Sequence, residues 1–99
     1  MDINILEENS AKLVVLNGRL DTVTSPELET AVMPLVEAGK TLILDGENME
    51  YISSAGLRVV LSVNKQCAAA GGRFVVRNLN KEVRSVFDMT GFSRLINIE

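Results

Sequence analysis

Ser53 and Ser54 stand just ahead of Ala55 and Gly56, two of the smallest residues, and the apolar run from Leu57 follows. Two chemistries suit hydroxyls at such a place. The first is helix capping, in which a serine oxygen accepts from a free backbone N–H at the helix start and contributes about 1 kcal/mol. The second is phosphoryl acceptance. A phosphate at a helix start meets exposed N–H groups and the positive end of the macrodipole, and adds about −1.5 to −2 charges without melting the helix. Gly56 falls in the first turn, where it costs up to about 1 kcal/mol against alanine; this predicts a close approach by another group. Asp21, in a loop beyond Gly18, is either a brace for backbone N–H groups or an exposed partner contact. Arg58 and Arg73 are partner contacts or solvated charges.

Other chemistries are missing their parts. The chain has no histidine, which removes an imidazole base, a Ser-His-Asp triad and histidine metal ligation. The single Cys67 cannot build a thiolate zinc site; it reads as a small packing residue just before an inward-facing Ala68. No glycine-rich loop ends in Lys-Ser/Thr, so a phosphate-binding P-loop is absent. Asp45, Glu47 and Glu50 lack the ligand pattern of a calcium loop and read as a solvated acidic stretch. No catalytic residue, metal or cofactor is expected, and the chain does not read as an enzyme.

Composition narrows the partners. With 99 residues, one domain spanning 1–99 is expected. Hydrophobic residues make up 46%, which supports a packed interior. With three Phe, one Tyr and no Trp, that interior must be aliphatic. Net charge is −3 with no long run of either sign, which disfavours nucleic acid and anionic membrane. No stretch is long and apolar enough to span a bilayer. The start, MDINILEENS, lacks the pattern of a signal peptide, and the lone cysteine fits a reducing compartment. A cytoplasmic location is expected.

The elements that must position these groups follow from periodicity. Strands are expected at Ile3–Glu8 and Ala11–Gly18, joined as a hairpin through Glu8-Asn9-Ser10. Leu28, Ala31, Val32, Leu35 and Val36 then form the stripe of an amphipathic helix. Its start is marked by Thr24 with Glu27 as a capping box, or by Ser25 before Pro26. Pro34 is a candidate kink, and Gly39 a C-terminal cap. A buried strand begins at Thr41 and gives way near Asp45 to a loop ending in Ser53-Ser54. The second helix carries Leu57, Val60, Leu61, Asn64 and Ala68 on one face and ends at Gly71-Gly72. Arg73–Arg77 is a strand, Asn80 caps a third helix that buries Val83, Val86 and Phe87, and Gly91 stops it. One helical turn and a last strand near Ile96 complete the chain.

Strand–helix–strand units with short connections make parallel pairs. If the strands ending near Gly18, Asp45 and Arg77 are neighbours, Asp21, Ser53-Ser54 and the Asn78–Asn80 turn share one rim. Ligands of such folds gather at that edge. Few aromatics and a short chain predict a surface site rather than a deep cleft.

The stretches LNGRLDTVTSPEL, LILDGENMEYISSAGLRVVL and VRSVFDMTGFSRLINI together resemble the bacterial anti-sigma factor antagonists, domains of the sulfate-transporter-and-anti-sigma-antagonist (STAS) type. The resemblance covers nearly the whole chain. It implies an α/β fold, a four- to five-stranded mixed sheet with helices packed mainly on one face. It also implies a partner-switching protein that, unphosphorylated, binds an anti-sigma factor serine kinase and so frees a sigma factor. Phosphorylation of a serine at the start of the second helix ends that binding, and a PP2C-like phosphatase reverses it. The serine two before glycine in the family's Asp-Ser-Ser/Thr-Gly motif matches Ser54. Asp21 matches the acidic residue of the first strand-to-helix loop. The family's aspartate before the acceptor is Ser53 here, which leaves Ser53 as a second candidate acceptor. The partner-binding surface implied is Asp21, Ser53, Ser54, Ala55, Gly56 and Arg58. The competing reading is a STAS subunit that binds without phosphorylation inside a larger regulatory or lipid-transport assembly.

Overall fold

The computed structural model describes residues 1–99. Five strands form one mixed sheet in the order β1-β2-β3-β4-β5, with β1 Asp2–Glu8, β2 Ala11–Leu20, β3 Thr41–Ile52, β4 Arg73–Arg77 and β5 Asn97–Ile98. The first pair is antiparallel, and β2 to β5 run parallel. The hairpin turns on Asn9 and Ser10, whose φ angles of 50° and 69° are those of a two-residue turn matched to strand twist. Three helices, α1 Ser25–Val32, α2 Ser54–Ala69 and α3 Lys81–Met89, supply the other layer.

Alternation decides which face the helices cover. Val14 and Leu16 of β2, Leu42 and Leu44 of β3, and Phe74 and Val76 of β4 point into one core. There they meet Leu28 and Val32 of α1, Val60 and Val63 of α2, and Val83 and Phe87 of α3. The opposite parity carries Leu6, Leu13, Ile43 and Val75. On that parity Arg77 reaches Glu8 at 2.9 Å and Asp45 at 3.4 Å. The mixed sheet with its helices on one core is the architecture expected.

Several local expectations change. β3 does not end near Asp45; it continues to Ile52 beside the extended end of β2, with register shifts between Val15 and Asn17 and between Gly18 and Arg19. Asn48, Met49, Tyr51 and Ile52 find partners in that ladder, and this outweighs the turn-like composition of Gly46-Glu47-Asn48, which is absorbed at a bulge. The first helix stops at Val32, and Met33–Leu35 tightens to a 3-10 turn around Pro34, whose ring and missing N–H cannot continue an α-helix. Gly39 therefore caps no helix, though its φ of +70° marks a later turn. On α2 the buried stripe is Gly56, Leu57, Val59, Val60, Val63 and Cys67. Ala68 is exposed and Asn64 half-buried, so the helix is rotated from the expected face. Cys67 is itself in the core, and burial pushes its thiol pKa up, away from reactivity. On α3 the Asn80 cap forms as expected, accepting from the Val83 N–H at 2.8 Å; Val86 is half-buried beside the buried Val83 and Phe87.

Candidate functional site

The start of α2 separates the two serines. Ser53 is the N-cap, in extended conformation, and its Oγ accepts from the Gly56 N–H at 3.3 Å. Ser54 is the first helical residue and is exposed; its hydroxyl takes no part in the capping bond. The first helical bond of α2 runs from Leu57 N–H to the Ser53 carbonyl, so the amides of Ser54 and Ala55 lie ahead of the ladder.

Ser53 is also where α2 is tied to the sheet. Its N–H donates to the Leu20 carbonyl at 2.9 Å, extending the β2–β3 ladder by one bond. Asp21 is the next residue, so the loop after β2 and the start of α2 share a rim. The Asn78–Asn80 turn is set back from it. Arg77 pairs with Asp45 in register, and Asn80 Nδ2 donates to the Met49 carbonyl at 2.9 Å. That leaves the turn about 10 Å short of Ile52 along β3. The longer β3 causes this, because it carries Ser53 past the end of β4.

Asp21 braces its own loop. Its Oδ1 accepts from the N–H groups of Val23 at 3.0 Å and Thr24 at 3.1 Å. The capping box expected from Thr24 and Glu27 does not form; Thr24 Oγ1 instead donates to the Arg19 carbonyl at 2.7 Å and accepts from the Asp21 N–H at 2.9 Å. Buried Ser25 follows, its N–H donating to the Asp21 carbonyl at 2.9 Å. The Thr24 amide, then the Val23 amide, the Thr24 hydroxyl and the positive charge of Arg19 hold the Asp21 carboxyl below the usual carboxylate range.

Gly56 meets a close approach, as its cost predicted, but from inside the molecule. A Cβ there would lie 2.8 Å from Leu20 Cγ and 2.9 Å from Ile52 Cγ1. Gly56 is buried, and its missing side chain serves the packing of α2 on the sheet rather than clearance for a partner. Ala55, half-buried, remains at the surface. It lines a groove of about 400 Å³ between α1 and α2 with Thr22, Ser25, Glu29, Arg58 and Ser62. Arg58 is exposed there and forms no ion pair, while Arg73 approaches Glu99 at 3.8 Å on the far side of the sheet order.

The rim holds features that sequence reasoning passed over. Val23 is 78% exposed in the loop braced by Asp21, whose carboxylate accepts from its N–H. The Arg19 guanidinium lies 4.2 Å from the centroid of the Tyr51 ring, a cation–π contact between strands. Only the register of β2 against β3 brings that pair together. Asp45, read as part of a solvated acidic loop, is buried: Oδ1 accepts from the Glu47 N–H, and Oδ2 from Arg77 and Asn78.

Comparison with known proteins agrees with this geometry. The family model described as STAS domain matches residues 2–99. The candidate anti-sigma factor antagonist BtrV of Bordetella bronchiseptica is 38% identical over 81% of this chain and 70% of its own length. The anti-sigma-B factor antagonist of Bacillus subtilis is 30% identical over 99% of this chain and 92% of its own. The anti-sigma factor antagonist SpoIIAA in its unphosphorylated form superposes with a TM-score of 0.82 at 21% identity, over 99% of this chain and 88% of that one. In its phosphorylated form, as the Bacillus cell fate determinant SpoIIAA, the TM-score is 0.72 at 19% identity, over 99% and 91%. At those identities the two structures speak for the fold. No helix is long and apolar enough to cross a membrane. With a family model matched from Asp2 to Glu99 and the sheet order, helices and rim described above, the chain belongs to the STAS domain family.

Proposed function

We propose that this chain is an anti-sigma factor antagonist switched by phosphorylation of Ser54. Bare, it binds an anti-sigma factor that is also a serine kinase, and the sigma factor is released. In the kinase step the Ser54 oxygen attacks the γ-phosphorus of ATP, an O–P bond forms, and the bond to the β,γ-bridging oxygen breaks. ADP leaves, and the hydroxyl proton passes to a base of the kinase. Hydrolysis by a PP2C-like phosphatase returns the hydroxyl and inorganic phosphate. In this reading the chain is a substrate and a binding surface, not an enzyme, and it works in the cytoplasm on proteins rather than nucleic acid or membrane.

The names of the curated relatives, matched over most of the chain, support the class of partner. The observation that carries the site is the division of labour at α2: the Ser53 hydroxyl is engaged as the cap, whereas Ser54 is exposed at the first helical position. Phosphate there needs no unfolding, and a change of several kcal/mol in the contact alters affinity by orders of magnitude, since about 1.4 kcal/mol is tenfold.

The test is incubation with ATP and the cognate anti-sigma factor kinase, followed by intact mass. A gain of one phosphate that persists in Ser53→Ala and disappears in Ser54→Ala is the expected result. A label that survives Ser54→Ala overturns the site. Absence of labelling with an intact complex overturns the switch in favour of a constitutive STAS subunit of a larger regulatory or lipid-transport assembly.

A further inference from the structure

Arg58 is the only cation on the first two turns of α2, one helical turn after Ser54. Residues four apart on a helix are surface neighbours, with Cβ atoms about 5–6 Å apart, well within reach of a guanidinium. Arg58 is exposed, forms no ion pair, and lines the α1–α2 groove with Ala55 and Glu29. The arginines of the sheet and of α3 are engaged: Arg77 with Glu8 and Asp45, Arg73 with Glu99, Arg84 with Asp88, Arg19 with Tyr51. An unengaged arginine beside the acceptor is a free fork for one carboxylate or one phosphate.

We infer that Arg58 is the transducing residue of the switch: it receives a carboxylate of the anti-sigma partner while Ser54 is bare, and is withdrawn onto the phosphate once Ser54 is modified. This rests on the Ser54 reading above and adds how the modification weakens binding. The phosphate and the partner's carboxylate compete for one guanidinium, so the modification removes an attractive contact as well as adding charge. Glu29 across the groove and Asp21 on the rim carry like charge to a phosphate; of the nearby cations Arg19 is held over the Tyr51 ring beside Asp21, whereas Arg58, one turn from Ser54, is unengaged. No movement of α2 is required.

The experiment compares the full chain with Arg58→Gln and Arg58→Lys, each with serine or phosphoserine at position 54, the latter installed by an expanded genetic code. Phosphorus NMR follows the phosphoserine titration, and calorimetry gives affinity for the cognate anti-sigma factor kinase. With Arg58 the phosphate should lose its second proton at lower pH than with Arg58→Gln, with Arg58→Lys between them. Arg58→Gln should weaken the unphosphorylated complex by about tenfold or more and shrink the fold-change caused by phosphate by a similar factor. An unchanged titration, or an unchanged phosphate effect in Arg58→Gln, overturns the role of Arg58 while leaving the Ser54 switch standing. A phosphoserine chain that binds as tightly as the bare one overturns the Ser54 reading itself. Circular dichroism shows that each variant is folded before either measurement is read.

Discussion

The Ser53 N–H donates to the Leu20 carbonyl at 2.9 Å, so the first residue of the α2 cap is also the last rung of the β2–β3 ladder. That bond sets Ser54 one residue from a rigid strand end and places it on the same rim as Asp21. The hydroxyl that a kinase would meet is thus carried one residue beyond a backbone bond to the sheet.

Ser53→Ala should lower stability by about 1 kcal/mol, the usual worth of an N-cap serine, and leave the acceptor in place. Ser54→Ala should be nearly neutral in stability, because its hydroxyl is exposed and outside the capping bond. Urea titration of the two variants checks the order; equal losses would contradict the separation of cap from acceptor.

Gly56→Ala should cost about 1–3 kcal/mol, the range for overpacking a core, because the new methyl group would lie 2.8 Å from Leu20 Cγ. Ala55→Gly, in the same turn but half-buried, should cost about 1 kcal/mol at most, from helix propensity. Thermal melts read the contrast. If Gly56→Ala were stabilising, the packing of α2 onto Leu20 and Ile52 would be wrong.

Asp21 gives a pH signature. Its folded pKa is depressed, chiefly by the Thr24 amide, so its contribution is fully present above the unfolded carboxyl value. It is lost as the pH falls through the lower folded value. Asp21→Asn should therefore flatten the acid side of the stability profile below about pH 4, while the wild-type chain loses stability there more steeply. Chemical denaturation from pH 2 to 6 checks this; parallel profiles would show that the brace carries no linkage.

Arg77→Ala should destabilise by about 1–3 kcal/mol, the scale of charged hydrogen bonds. Most of the loss comes from Asp45, whose side chain is 10% exposed and would keep only Asn78 and the Glu47 amide as partners. Glu8→Ala should cost less, because Glu8 is 40% exposed. A denaturant midpoint lower for Glu8→Ala than for Arg77→Ala would reverse that order.

Much of the fold was legible because it is written locally. Asn9-Ser10 specifies a tight hairpin, Asn80 a cap, and Gly91 with φ +81° a stop, and all three form where expected. The misses share a cause. Gly46-Glu47-Asn48 has the composition of a turn, yet these residues lie within β3, which continues to Ile52 because Asn17 to Leu20 offer a partner strand. That longer strand then sets the Asn78–Asn80 turn back from the rim. Thr24 and Glu27 spell a capping box, yet the Thr24 hydroxyl is taken by the Asp21 N–H and the Arg19 carbonyl, and the Thr24 N–H by the Asp21 carboxylate.

The sequence by itself determined the hairpin, the alternation of strands and helices, the aliphatic core and the pair of hydroxyls before Ala55-Gly56, since each depends on neighbours a few residues apart. Tertiary structure decided which serine caps and which is exposed, that Gly56 makes room for Leu20 and Ile52, and that Ser53 is tied to Leu20, next to Asp21, while Asn80 is held back at Met49. These depend on strand register and helix rotation. One bulge or a turn of about 100° changes them, and only the closure of long-range ladders and the shared core fixes either.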